Sequence, residues 1–333
     1  MKPKLLPSLF IRKDVTMKLA LGLLLALAPT LAQATQAKDL GDLGGGQSFA
    51  RSLNEGGLIV GDSRTSSGET HAFLYSNNQI VDLGTIGGNY SSANAVSNRG
   101  QVAGTSYLPG AQPEPRAVIW DHGQTIILPH LNGSSNSQAN GINDAEHVVG
   151  SSGNVATIWE NRQPRSLGTL GGSNSYANAI SQNGLVVGNS VTAQGQWHAF
   201  LYRNNQMIDL GTLGGGTSAA YSVNDRGQVV GSSETANGSV HAFVWENGVM
   251  QDLGTINNGS SIAQAISAGG LIAGQGLVGN NVVHTLKWDW NSQLIDIGAA
   301  TNDEYSAGFG INNSGKIAGI RYVNGTARAT LWE

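Results

Sequence analysis

A seven-bladed β-propeller, an all-β ring of four-stranded antiparallel blades, is the fold this sequence predicts, and three observations predict it. The composition is that of a glycine-rich β chain: 47 of 333 residues are Gly, only 12% are charged and none is Cys. One motif, clearest in Asp82-Leu-Gly-Thr-Ile-Gly-Gly and Asp209-Leu-Gly-Thr-Leu-Gly-Gly, recurs along the chain. The repeats are also cut unevenly. The chain opens on a lone fourth strand (38–41) and stops on a third strand (328–332), so each end holds the piece the other lacks. Pairing the two closes a ring, whereas an open solenoid would need two caps.

The N-terminus reads as an export address. Met17-Lys18 precedes the apolar run 19–31 and then Ala32-Gln33-Ala34, a basic region, a short apolar region and a small-x-small cleavage site. The run is too short for a membrane span. Residues 1–34 are therefore predicted to be a signal peptide, with Ala37 as the later alternative for cleavage. Residues 1–16 have the character of an upstream-start extension. Residues 38–333 then form one propeller domain, secreted or periplasmic.

The leucine of the repeated motif serves as a ruler. It falls at Leu40, Leu83, Leu128, Leu167, Leu210, Leu253 and Ile297, spaced 43, 45, 39, 43, 43 and 44 residues apart. Eight or nine residues later stands a serine: Ser48, Ser91, Ser137, Ser175, Ser218, Ser261 and Ser306. A small residue follows at Ala50, Ala93, Ala139, Ala177, Ala220, Ala263 and Gly308, then a branched one such as Val96 or Ile180. This alternation predicts a first strand packed closely against another sheet. Asn or Ser, two variable residues and usually Gly come next, as in Asn224-Asp-Arg-Gly227. That is a hairpin turn. Gln228-Val-Val-Gly231 marks the second strand and His241-Ala-Phe-Val-Trp245 the third. A tight Asn/Gly turn at 246–248 leads into the fourth, which ends in the ruler. Four strands in about 43 residues is a propeller blade.

The His-Ala-Phe triplets at His71, His198 and His241, each followed by Asp-Leu-Gly-Thr-(Leu/Ile), resemble the extracellular HAF repeat family. The resemblance covers residues 38–333 and implies an exported bacterial protein; it brings no activity or catalytic residues. Arg116-Ala-Val, Val155-Ala-Thr and Arg328-Ala-Thr depart from the triplet, and His284-Thr-Leu keeps only its histidine.

That histidine and the aspartate of the fourth strand vary together: His71 with Asp82, His198 with Asp209, His241 with Asp252, His284 with Asp296. Ring closure puts Arg328 beside Asp39, again a cation by a carboxylate. Several symmetric copies predict structural clamps between outer strands, not one catalytic or metal centre. Trp120, Trp159, Trp245, Trp288 and Trp332 share a column with Tyr75 and Tyr202 and predict inter-blade packing, with Trp197 and Trp290 outside it. Gly44-Gly45-Gly46 and Gly214-Gly215-Gly216 lack the helix and lysine of a phosphate loop and are expected to be tight loops between blades.

The absence of Cys excludes a disulfide scaffold, a thiolate metal site and a cysteine nucleophile. No catalytic residue, metal site or cofactor is assigned. The whole-chain formal charge of −4 includes five bases and one acid within residues 1–34, so the mature chain lies near −8. With no basic cluster, neither nucleic-acid binding nor membrane insertion after cleavage is expected. All seven units are used up by the propeller, so a membrane-barrel transporter domain is not expected either.

Loops between second and third strands share a face with the loops between blades, and they vary most. Tyr107, His130 and Trp197 on this face are the ligand-binding candidates, for a glycan, peptide or protein ligand. Asp303 and Glu304, in the last inter-blade loop, would add an acidic edge or bind a cation. The expected function is a binding or protein-interaction module. The alternatives are a propeller hydrolase or lyase acting on extracellular carbohydrate, and a purely structural surface protein. Mass spectrometry of the exported protein should give a mature N-terminus at Thr35, or at Lys38 if the later site is used.

Overall fold

The computed structural model describes residues 36–279, 281–289, 293–300 and 305–333. Residues 1–34, the segment predicted to be a signal peptide, and Trp290, Asp303 and Glu304 lie outside the described residues. Seven four-stranded antiparallel sheets follow one another: blades 1 (44–84), 2 (91–127), 3 (137–168), 4 (171–209), 5 (214–252), 6 (261–296) and 7 (306–332 with 37–39). The ring closes as the cut repeats require. Ala37, Lys38 and Asp39 pair with Trp332, Leu331 and Thr330, and the Leu40 N–H donates to the Ala329 carbonyl at 2.9 Å.

The core lies between blades, not within any one of them. Leu53, Ile59, Phe73 and Tyr75 of blade 1 pack with Ala318, Ala329 and Leu331 of blade 7. The equivalent wedge between blades 4 and 5 holds Leu201, Phe243 and Trp245. A blade that is apolar on both faces can bury them only against two neighbours, which is why the ring has to close. The tryptophan column behaves as predicted, with Trp159 and Trp288 fully buried.

The serine column is the principal inter-blade connection. Each serine accepts the backbone N–H of the preceding blade's third strand. Ala72 donates to Ser91 at 2.8 Å, Ala117 to Ser137, Ala156 to Ser175, Ala199 to Ser218, Ala242 to Ser261, Thr285 to Ser306 and, across the closure, Ala329 to Ser48 at 3.0 Å. Five of these hydroxyls also donate to the glycine carbonyl of the ruler motif, as Ser91 does to Gly84 at 2.7 Å. The alanine before the core phenylalanine is small because this serine arrives beside it.

Each first strand carries a β-bulge one residue after its small residue, as between Ala50 and Ser52 and between Ala177 and Ala179. The second-strand glycine opposite it has no room for a side chain. A Cβ on Gly61 would lie 1.8 Å from the Phe49 carbonyl oxygen, and one on Gly188 1.9 Å from that of Tyr176. In blades 1 to 5 the turn between third and fourth strands places two consecutive residues at positive φ, for example Asn204 (50°) and Asn205 (60°), the twist a two-residue hairpin needs.

The glycine triplets require a correction. Gly44–Leu53 and Gly214–Val223 are first strands that include them. The triplets run beside the end of the second strand, where a Cβ on Gly45 would lie 2.5 Å from the Thr65 carbonyl oxygen, and Gly44 (96°), Gly46 (81°) and Gly214 (101°) take positive φ there. Expecting separate loops there overlooked that contact.

Ser175→Ala leaves the buried Ala156 N–H without an acceptor and should lower the unfolding free energy by about 1–3 kcal/mol. Ser173→Ala, at an exposed site on the same strand, should change it by no more than about 0.5 kcal/mol. Urea denaturation of both variants checks the difference.

Candidate functional site

The clamp residues form bonded pairs. His71 Nδ1 lies 2.8 Å from Asp82 Oδ2, His198 Nδ1 2.8 Å from Asp209, His241 Nδ1 2.7 Å from Asp252 and His284 Nδ1 2.8 Å from Asp296. Each aspartate also shapes the chain: Asp82, Asp209 and Asp252 accept the N–H of Gly84, Gly211 and Gly254. The result is a closed circuit from histidine to aspartate, to the glycine loop, to the serine and back to the alanine beside the histidine. The serine hydroxyl is wholly buried and bonds only backbone in this circuit. It is therefore not presented to the histidine as a nucleophile would be.

Arg328 differs from expectation. It lies 4.0 Å from Asp39, but its closer partner is Asp42 at 2.7 Å, on the segment entering blade 1. Asp42 also accepts the Gly44 and Gly46 N–H groups. Burial opposes its charge, but the two backbone donors and Arg328 outweigh burial and hold its carboxyl below the usual value.

The three ligand candidates are not brought together. Tyr107 packs edge-on against Tyr90, with ring centroids 5.1 Å apart, and Tyr305 and Tyr322 repeat that contact in blade 7 at 5.3 Å. Burial, with the nearby Asp62 carboxylate, pushes the Tyr90 phenol above its ordinary value. His130 sits in the link between blades 2 and 3, its Nδ1 3.2 Å from the Leu131 carbonyl oxygen. Trp197, at the start of the third strand of blade 4, stacks on Tyr176 at 5.7 Å with the rings 20° from parallel. It lines a cavity of about 300 Å³ between blades 4 and 5, with Asn189, Thr217, Tyr221, Ser232 and Glu234 among the other lining residues. Neither Tyr107 nor His130 lines it. The aromatic partner of Trp197 is thus Tyr176 and not Tyr107, and the cavity that Trp197 lines carries the Glu234 carboxylate and no histidine. Tyr176 went unnoticed in the sequence because it follows Ser175 in a strand read only for its small and branched residues.

The first strands surround a central channel with a cavity of about 440 Å³, lined by residues of all seven blades. A second cavity of about 250 Å³ opens on the tight-turn face. There, side chains tie turn to turn around the ring: the Glu55 N–H donates to Asn98, the Asn98 N–H to Asp144, and the Asn313 N–H back to Glu55 across the closure. Among the described residues no group of three or more His, Cys, Asp or Glu is arranged to hold a metal ion.

No family model and no curated protein sequence matches this chain. Solved structures do share its fold. The β-propeller domain of the Trilobed protease from Pyrococcus furiosus, described as having an open velcro topology, is similar at a TM-score of 0.58 and 10% identity, over 91% of this chain and 95% of that one. The present ring pairs its first strand with its last. The Pyrococcus horikoshii acylaminoacyl peptidase (TM-score 0.57, 10% identity) and a Mycobacterium tuberculosis puromycin-hydrolyzing peptidase (0.55, 10%) each align with 88% of this chain. The chain spans about half the length of these two peptidases, covering 52% and 55% of them. At these identities the likeness establishes the propeller fold alone.

The depressed Asp42 carboxyl makes ring closure sensitive to acid. A lowered folded value contributes stability that is present above the unfolded pKa, near 3.9, and is lost as pH falls through the folded value. Asp42→Asn should cost about 1–2 kcal/mol at pH 7, and the gap from wild type should shrink below about pH 3.5. Thermal unfolding of both proteins from pH 7 to pH 2.5 measures it.

Proposed function

We propose that this chain is an exported propeller of the HAF-repeat kind that acts as a binding module, taking a glycan in the groove between blades 4 and 5. One observation carries the reading: Trp197, held by its stack on Tyr176, lines with Tyr221 a cavity whose other lining residues include hydroxyls, an amide and a carboxylate. An aromatic face beside convergent polar groups suits a sugar ring, whose C–H face is apolar and whose edge is all hydroxyl. The latched ring supports the same role, since loops on a stiff scaffold hold a preformed surface and little ordering entropy is lost on binding. Glu234 is oriented by the Gly216 N–H, which donates to its Oε2 at 3.0 Å. The net negative mature chain makes a neutral glycan a better ligand than a nucleic acid.

A glycan array followed by calorimetry on the best ligand tests this. Trp197→Ala should weaken binding at least about tenfold while the melting temperature stays near wild type. An array without a bound glycan, or a Trp197→Ala variant that binds normally, overturns the reading. Release of reducing sugar from the bound glycan would transfer the assignment to a carbohydrate hydrolase or lyase, the enzymatic alternative that the sequence leaves open.

A further inference from the structure

The bulge in each first strand leaves one residue per blade out of the ladder and puts it on the channel wall: Arg51, Asn94, Asn140, Asn178, Tyr221, Gln264 and Phe309. In blades 2, 3 and 4 the residue is Asn with one structural task. Asn94 donates to the Ala139 carbonyl at 2.8 Å, Asn140 to Ala177 at 2.9 Å and Asn178 to Ala220 at 2.8 Å, each clasping the next blade. Blades 5, 6, 7 and 1 form a contiguous wall on which this clasp is missing among the described residues, and the repeated Asn becomes Tyr, Gln, Phe and Arg. A repeat that stays constant in its latch and core positions but diversifies along one side of its channel has been released from structural duty there.

Arg51 is the one charged side chain among the described residues lining this cavity. Its guanidinium is held from behind. Asp62, on the second strand of the same blade, accepts from Nε and also accepts the Ser92 hydroxyl at 3.1 Å. The Asp62 side chain is 7% exposed and that of Arg51 42%. A buried carboxylate thus orients an open guanidinium, and Nε is the one nitrogen of it with a hydrogen bond among the described residues. The Nη1–Nη2 edge is left to meet two oxygens at once. Phe309, from the neighbouring blade 7, supplies an apolar surface beside it. Below lies a collar that includes Leu53, Val96, Ile180 and Ile266, and beyond the collar the tight-turn mouth carries Glu55 and Asp225. That mouth repels anions, so an anionic ligand approaches from the loop-bearing face.

We propose that the channel is a second binding site, independent of the groove between blades 4 and 5, for a small organic carboxylate whose two oxygens meet Arg51 end-on and whose body rests against Phe309 and Gln264. The volume admits a molecule of the size of a hexuronic acid or an aromatic acid, and two probes separate those sources: galacturonate against galactose, and phenylacetate against benzyl alcohol. Calorimetry on the full mature chain should show one of the acids binding while its neutral counterpart binds at least about tenfold more weakly. Raising NaCl should weaken binding of the acid. Removing Arg51 alone would strand Asp62 as an unpaired buried charge, so the test variant is Arg51→Gln with Asp62→Asn, which keeps the polar contacts and removes both charges. It should keep the circular dichroism of the wild type, lose at least about tenfold in affinity for the acid and leave glycan binding at Trp197 unchanged. Trp197→Ala should do the reverse. Neither acid binding the wild type at millimolar concentration, neutral counterparts binding equally well, or an unaltered affinity in the folded double variant would each overturn the proposal.

Discussion

The ring depends on one repeated exchange: a serine at the head of each blade takes the backbone N–H of the blade before it. Without that hydroxyl the third strand would bury an unsatisfied donor where two apolar sheets meet, and a buried unpaired amide is more costly than a hydrogen bond is favourable. The exchange is embedded in a circuit. The histidine holds the aspartate, the aspartate holds the glycine turn, and the glycine carbonyl receives the serine proton. The His-Ala-Phe triplet is then three consecutive tasks: a clamp, a small residue whose N–H is latched, and a core side chain, with Phe73, Phe200 and Phe243 fully buried.

The departures from the triplet fit the same logic. Arg328 keeps a cation at the clamp position, and its reach extends past Asp39 to Asp42 because a guanidinium is longer than an imidazole. It therefore links the closing strand to the segment that enters blade 1, across the junction where chain continuity is absent. In blade 3 Val155 and Ser166 replace the clamp pair, and the Trp159 indole N–H donates to the Pro129 carbonyl at 2.6 Å, as Trp288 does to Leu253 at 3.0 Å in a blade that keeps its clamp.

A scaffold held this way leaves its loop-bearing face and its channel wall free to vary. The groove beside Trp197 and the channel site at Arg51 both arise where repetition fails. Trp197 stands where other blades have Thr70, Pro115 or Val240, and Arg51 where three blades have a clasping asparagine. Neither is needed by the ring, and each is backed by a partner that is itself well held: Tyr176 by its strand, Asp62 by Ser92.

The sequence by itself determined the strand order, the seven units, the closure and the clamp pairs, since each of these is written as a spacing between residues within one repeat or its neighbour. It also marked Trp197 as an outlier. Only the tertiary structure decided which outliers meet. Tyr107 and Trp197 look equivalent along the chain, but one packs on Tyr90 in a contact repeated in blade 7 and the other faces an open groove. Arg51 went unread for a related reason. A bulge shifts one residue out of the alternation, so an arginine that the two-residue period leaves unplaced becomes part of a channel wall assembled from seven strands distant in sequence. Periodicity reports which face of a strand a residue takes; what lies opposite that face depends on how the blades are stacked, which no single repeat encodes.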